Sequence, residues 1–129
     1  MGAELTGFHF ADSLGLEAYD AYRGMALRLG LRAALPVQAS IVAALEAWTH
    51  ARLHEQRLPE DRVGLVIAGN NTTRGYQDAV TPGFQRDPEY LSPRYAVQYQ
   101  DTDHLGVLSQ LVRIHGEGFV SGGASASGG

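Results

Sequence analysis

The sequence predicts an α/β domain in which helices cover a sheet, and three observations carry that reading. A helical pattern over residues 36–53 leads to a β-branched apolar run at 62–68. A second helical pattern at 102–112 leads to a second strand-like run at 117–121. A polar stretch interrupted by prolines separates the two units. The resulting order of helix, strand, loop, helix and strand is what a helix-covered sheet requires.

Each element has its own justification. Between residues 12 and 35, Leu14, Leu16, Tyr19, Tyr22, Met25, Leu27, Leu29 and Leu31 alternate with Gly15, Gly24 and Gly30, which predicts short helical turns and loop rather than one continuous helix. Pro36 suits a first helical turn, and Val37, Ile41, Ala44, Leu45, Trp48 and Leu53 recur at helical spacing with Glu46, Arg52 and Glu55 between them. Leu58-Pro59-Glu60-Asp61 ends that helix, and the run from Arg62 to Ala68 predicts a buried strand. Gly69 to Gly75 reads as a polar turn of the kind on which function collects. Pro82, Pro88 and Pro93 keep the following segment from forming one long element. Leu105, Leu108, Leu111 and Val112 predict an amphipathic helix of about three turns, starting near an Asp101 or Thr102 cap and ended by His115-Gly116. Residues 117–121 complete the pattern as a strand.

Composition bounds the function. With 129 residues, 44% of them hydrophobic, the chain holds one domain with one core. The absence of cysteine excludes disulfides, thiolate metal sites and a thiol nucleophile within these residues, so chemistry must come from oxygen or imidazole. The net charge is -4, and the ten basic residues are all arginines scattered along the chain. No basic stripe of the kind that binds nucleic acid results. No apolar run reaches membrane-spanning length and the first residues lack a signal-peptide pattern, so the expectation is a cytoplasmic protein with no membrane or nucleic-acid partner. Much of the glycine lies between Gly64 and Gly83 and at the C-terminus.

The C-terminal residues are the most informative. The strand at 117–121 runs into Gly122-Gly123-Ala124-Ser125-Ala126-Ser127-Gly128, a glycine-lined turn that presents a serine. Small neighbours there let a substrate carbonyl approach the backbone, an arrangement many acyl-transfer enzymes use for the nucleophile. Composition alone also fits a flexible Gly/Ser linker. Taken with Tyr99-Gln100-Asp101-Thr102-Asp103-His104-Leu105-Gly106 and Gly116-Glu117-Gly118-Phe119-Val120, this stretch resembles the N-terminal half of β-ketoacyl synthases, the condensing enzymes of the thiolase fold. The helix at 37–57 and the strand and Gly-Asn turn at 63–71 are similar to that family in order. The resemblance covers residues 36–129 most clearly, and it implies that 1–129 is part of a thiolase-like layered N-terminal domain.

The resemblance places Ser125 at the position of the family's catalytic cysteine. The wording Gly-Gly-Ala-Ser-Ala-Ser-Gly is similar to a subgroup from polyketide β-branching cassettes in which serine replaces that cysteine. Members of that subgroup are implied to decarboxylate malonyl on an acyl carrier protein, leaving acetyl-carrier protein. The chemistry of the replacement is intelligible in itself. Condensation needs a covalent acyl thioester, and an alcohol is far harder to ionise than a thiol whose pKa is about 8.5. Decarboxylation needs only hydrogen-bond donors for the enolate oxygen that forms as carbon dioxide leaves. Serine thus separates the two halves of the reaction.

The resemblance further implies an acyl carrier protein as partner, a homodimer in the intact parent, and neither cofactor nor metal. The family's two histidines and lysine lie far downstream of the nucleophile, and its usual first strand is not evident in residues 1–12. The expectation is a chain incomplete at both ends that is inactive or very slow by itself. Two alternatives remain open: a truncated or split ketosynthase half serving as a non-catalytic interaction module, and a fragment of an ordinary condensing enzyme.

Other candidates have plainer readings. His50 and His54, four apart on a helix, could supply half a metal site, but without a third ligand in view they read as a surface pair. His104, with two carboxylates near it in Asp101-Thr102-Asp103-His104, suggests either a charge relay or a structural residue at a helix start, and the second is preferred. His9 and His115 carry no pattern. Asn70-Asn71-Thr72 and Asn71-Thr72-Thr73 fit the glycosylation pattern but read as a turn. Tyr90, Tyr95 and Tyr99 either line an acyl channel or pack beneath a loop. Ser121 and Ser127 read as turn and helix-start residues.

Overall fold

The computed structural model describes residues 5–122 and has an α/β architecture. A short helix α1 (Phe10–Ser13) and a 3-10 turn at Glu17–Tyr19 precede α2 (Asp20–Gly30) and α3 (Leu35–His50). Strand β1 (Leu65–Ala68) is followed by α4 (Arg74–Arg86), α5 (Tyr95–Gln98) and α6 (Asp103–Val112), and then by β2 (Gly118–Ser121). The strands pair in parallel, with Leu65 opposite Gly118 and Ala68 opposite Ser121. Parallel neighbours need a crossover connection, here the stretch holding α4, α5 and α6.

The core lies between α2, α3, α6 and one face of the sheet. Leu14, Val37, Ile41 and Leu45 are its largest fully buried side chains, joined by Leu108, Leu111 and Ile114 from α6 and the residues just beyond it. Leu65 and Ile67 turn from β1 toward this core. Trp48 Nε1 donates to Tyr22 Oη at 3.0 Å and ties α3 to α2. Gly30 lets α2 approach its neighbours, because a Cβ there would stand 2.6 Å from Ile41 Cδ1 and press on Phe10.

Several expectations need correction. Residues 20–30 form one continuous helix despite Gly24, since burial of Ala26 and Gly30 against the core outweighs the modest helix penalty of a glycine. The first strand is shorter than 62–68 and is not buried on both faces: Val66 and Ala68 face outward while Leu65 and Ile67 face in. Pro82 lies inside α4, which continues to Arg86 on a solvent-facing surface. Helix α6 stops at Val112, earlier than His115. Arg113 adopts the left-handed conformation at φ 56, and the Ile114 amide closes back on Ser109 O at 3.1 Å, the Schellman pattern that ends a helix. Ser121 is the last residue of β2 rather than a turn residue. Among the described residues no helix is long and apolar enough to cross a membrane.

Two fastenings set the strand pair. At the amino ends, Glu60 receives Arg113 Nη2 at 2.8 Å and His115 Nδ1 at 3.1 Å, while its carbonyl accepts from the His115 amide at 2.7 Å. Gly116 packs so closely there that a Cβ would meet Val63 O at 2.5 Å. The second fastening is at the carboxyl ends.

Candidate functional site

The carboxyl edge of a parallel sheet is where open α/β folds place their ligand sites, because loops and helix starts converge there. In this chain that edge is built from the turn after β1 and the end of β2. The Gly69 amide donates to Ser121 O at 3.2 Å, so the turn begins directly beside the last residue of β2. Asn71 takes a left-handed backbone at φ 55, a conformation asparagine tolerates better than most residues, and this swings Thr72 and Thr73 back toward α6.

Side chains from three other parts of the chain hold the turn. Asp101, just before α6, accepts from the Thr72 amide at 3.1 Å and from Thr72 Oγ1 at 2.5 Å through the same carboxylate oxygen. His104, in the first turn of α6, places Nε2 3.2 Å from Thr72 Oγ1 and Nδ1 2.9 Å from Ser40 Oγ on α3. Buried Thr73 donates to Tyr99 O at 3.0 Å and accepts from Gln77 Nε2 at 3.1 Å. A surface cavity of about 380 Å³ adjoins this cluster, lined by Ala34, Leu35, Pro36, Thr72, Gly75 and Tyr76.

The electrostatics follow from burial. His104 is only 2% exposed, and loss of water pushes its pKa below the ordinary 6.5, with Asp103 and Asp101 partly offsetting the effect. Burial raises the Asp103 carboxyl above its usual range, opposed by His104. For a ring so nearly enclosed the desolvation direction governs, and His104 is the neutral partner.

The predicted site residues fare differently. Ser125, along with Ser127, lies outside the described residues; Gly122, three positions earlier, follows β2 and lies beside the Gly69 turn. His104 is buried and bonded, in keeping with its structural reading, but Asp101 reaches Thr72 rather than the imidazole. Thr102 occupies the N-cap position of α6 yet makes no capping bond, its hydroxyl turning to Gln100 instead. His54 Nε2 lies 3.7 Å from Glu55, and His50 is exposed. Among the described residues no three His, Cys, Asp or Glu side chains converge as a metal set. Tyr95 stacks on the half-exposed Tyr99 at 5.3 Å, sits 6.2 Å from Tyr76 and lines a small cavity with Val80, Phe84 and Leu91, whereas Tyr90 projects into solvent. Ser40 and Thr72 were not legible as site residues. Their spacings of 64 and 32 residues from His104 follow no local pattern, and only the acidic cluster at the start of α6 hinted at a polar centre.

Comparison with known proteins gives one informative match. No family model matches the chain, and no solved structure matches it. The chain is 30% identical over 128 residues to the polyketide biosynthesis malonyl-ACP decarboxylase PksF of Bacillus subtilis (strain 168). That alignment takes in 99% of this chain and 28% of the relative, so the chain spans little more than a quarter of the relative's length and is similar to one portion of a polyketide decarboxylase.

Proposed function

We propose that the chain is part of a ketosynthase-like protein of polyketide biosynthesis which, when intact, converts malonyl-acyl carrier protein to acetyl-acyl carrier protein. The observation that carries this reading is the alignment of nearly the whole chain with a malonyl-ACP decarboxylase. The α/β architecture agrees with it: β2 ends at Ser121 on the sheet edge at which such folds bind ligands, and in sequence Gly122-Gly123-Ala124-Ser125 follows. In this reading residues 1–129 form the N-terminal part of a thiolase-like domain and Ser125 stands where a condensing enzyme carries its cysteine.

The reaction divides accordingly. The bond between the malonyl α-carbon and the carboxylate breaks, its electron pair moves into the thioester as an enolate, carbon dioxide departs, and a proton then fills the α-carbon. The protein's task is to supply hydrogen-bond donors to the enolate oxygen in a site shielded from water. Ser125, as a poorly ionised alcohol, contributes a hydroxyl without capturing the acyl group. The partners are an acyl carrier protein and, in the intact parent, a second copy of the same chain, in the cytoplasm.

Incubating the intact protein with malonyl-carrier protein and following the carrier by intact-mass spectrometry tests the reading. Conversion to acetyl-carrier protein supports it; carrier binding without turnover favours instead a non-catalytic interaction module. That second reading draws on the apolar outer face of the sheet, where Val66 and Phe119 are 57% and 56% exposed.

A further inference from the structure

Ser40, Thr72, Asp101 and His104 come from three separate parts of the chain, and their few hydrogens restrict how they can bond. An ionised carboxylate only accepts, so across the 2.5 Å contact Thr72 Oγ1 must give its one hydrogen to Asp101. With that hydrogen committed, Thr72 can only accept from His104, and the imidazole hydrogen must sit on Nε2. Ser40 has one hydrogen and two acceptors at 2.9 Å, Pro36 O and His104 Nδ1. Were it given to Pro36, Nδ1 would also have to donate, and the ring would be a cation inside a site that is 2% exposed. The Pro36 carbonyl belongs to the ladder of α3 and does not depend on the hydroxyl. The neutral ring therefore receives the Ser40 hydrogen.

We propose that these residues form one directed hydrogen-bond chain, Ser40 to His104 to Thr72 to Asp101, and that His104 is a positioning residue holding the Gly69–Thr73 turn against α6 beside the end of β2. The chain crosses three structural units. Ser40 anchors it in α3, which carries the buried Val37, Ile41 and Leu45, His104 and Asp101 bring the start of α6, and Thr72 carries the turn. The last residue of β2 is bonded to Gly69, so the same clasp fixes the point from which the backbone proceeds toward Ser125. His104 acts through Thr72 and need not touch substrate. Only this positioning role rests on the decarboxylase reading; the bonding pattern stands independently of it.

The test has two arms that fail separately. In the intact protein with ring-15N histidine, the His104 signal is assigned by its loss in H104Q, and at neutral pH a directly bonded hydrogen is expected on Nε2 alone. The Thr72 amide is expected to be protected from hydrogen exchange. A hydrogen on Nδ1, or on both nitrogens, overturns the directed chain. In the second arm, Thr72→Val lowers kcat for malonyl-carrier protein about tenfold to a hundredfold, the scale of a small misplacement near a reacting centre. KM stays within about twofold and Thr72→Ser restores the rate, because the hydroxyl rather than the volume matters. Unchanged kcat in Thr72→Val overturns the positioning role. Absence of decarboxylation in the unaltered protein overturns the functional reading and with it that role, while the nitrogen signals still decide the bonding pattern.

Discussion

Val66 and Phe119 stand directly opposite one another in the parallel pair, both more than half exposed, on the face of the sheet that no helix covers among the described residues. The opposite face carries Leu65 and Ile67 into the core, so the two-residue period of the strands assigns one apolar set inward and leaves another outside. Isolated exposed apolar residues are common, but a cross-strand pair on an uncovered sheet is a surface that favours association.

Replacing both Val66 and Phe119 by threonine therefore lowers association of the 129-residue chain, measured by light scattering over a concentration series. Thermal stability of the monomer changes little, within about 0.5 kcal/mol, because neither side chain is part of the core. Undiminished scattering in the double variant would show that another surface drives association.

Ile41→Ala removes a fully buried side chain from the centre of α3 and leaves a cavity among Leu14, Leu45 and their neighbours. The expected loss is about 2–5 kcal/mol, read as a lower midpoint in urea unfolding. Gly30→Val acts in the opposite sense, forcing a branched side chain against Phe10 and Ile41, and destabilises by about 1–3 kcal/mol or more through overpacking. A Gly30→Val variant as stable as the parent would mean that α2 and α3 can separate at little cost.

His104 makes stability depend on pH. Its folded pKa lies below 6.5, so the unfolded chain binds the extra proton first as pH falls. The contribution of the neutral ring is complete above 6.5 and declines as pH drops from there toward the folded value. The charged groups nearest the ring, Asp101 and Asp103, temper the decline. Asp103 itself has a raised pKa and works in the opposite direction, its folded form taking up a proton earlier than the unfolded chain as pH falls toward 3.8. Urea midpoints across mildly acidic pH should fall with acidification, and His104→Gln should flatten that slope. An equally steep slope in the variant would place the titration elsewhere.

How much of this was legible in the sequence depends on the range of the interaction involved. Local patterns located α3, α6 and both strands, since periodicity and proline placement are properties of neighbouring residues. The extent of α2 was missed because the packing of Ala26 and Gly30 offsets the poor helix propensity of its glycines. The end of α6 was missed because Arg113, not a glycine, takes the left-handed position. The clasp escaped for a different reason: Ser40, Thr72 and His104 are brought together only by the folded chain, and polar residues at such separations leave no periodic trace. The α/β class agreed with the structure, and the resemblance to ketosynthase-like decarboxylases agreed with the relative later matched.

The most direct measurement is the fate of malonyl-carrier protein with the intact protein and with its Ser125→Cys variant, followed by mass spectrometry of both carrier and enzyme. The account predicts acetyl-carrier protein with no acyl adduct on the unaltered enzyme, and an adduct at the substituted position in the variant. An acyl adduct on the unaltered enzyme together with a condensed β-ketoacyl product would contradict it.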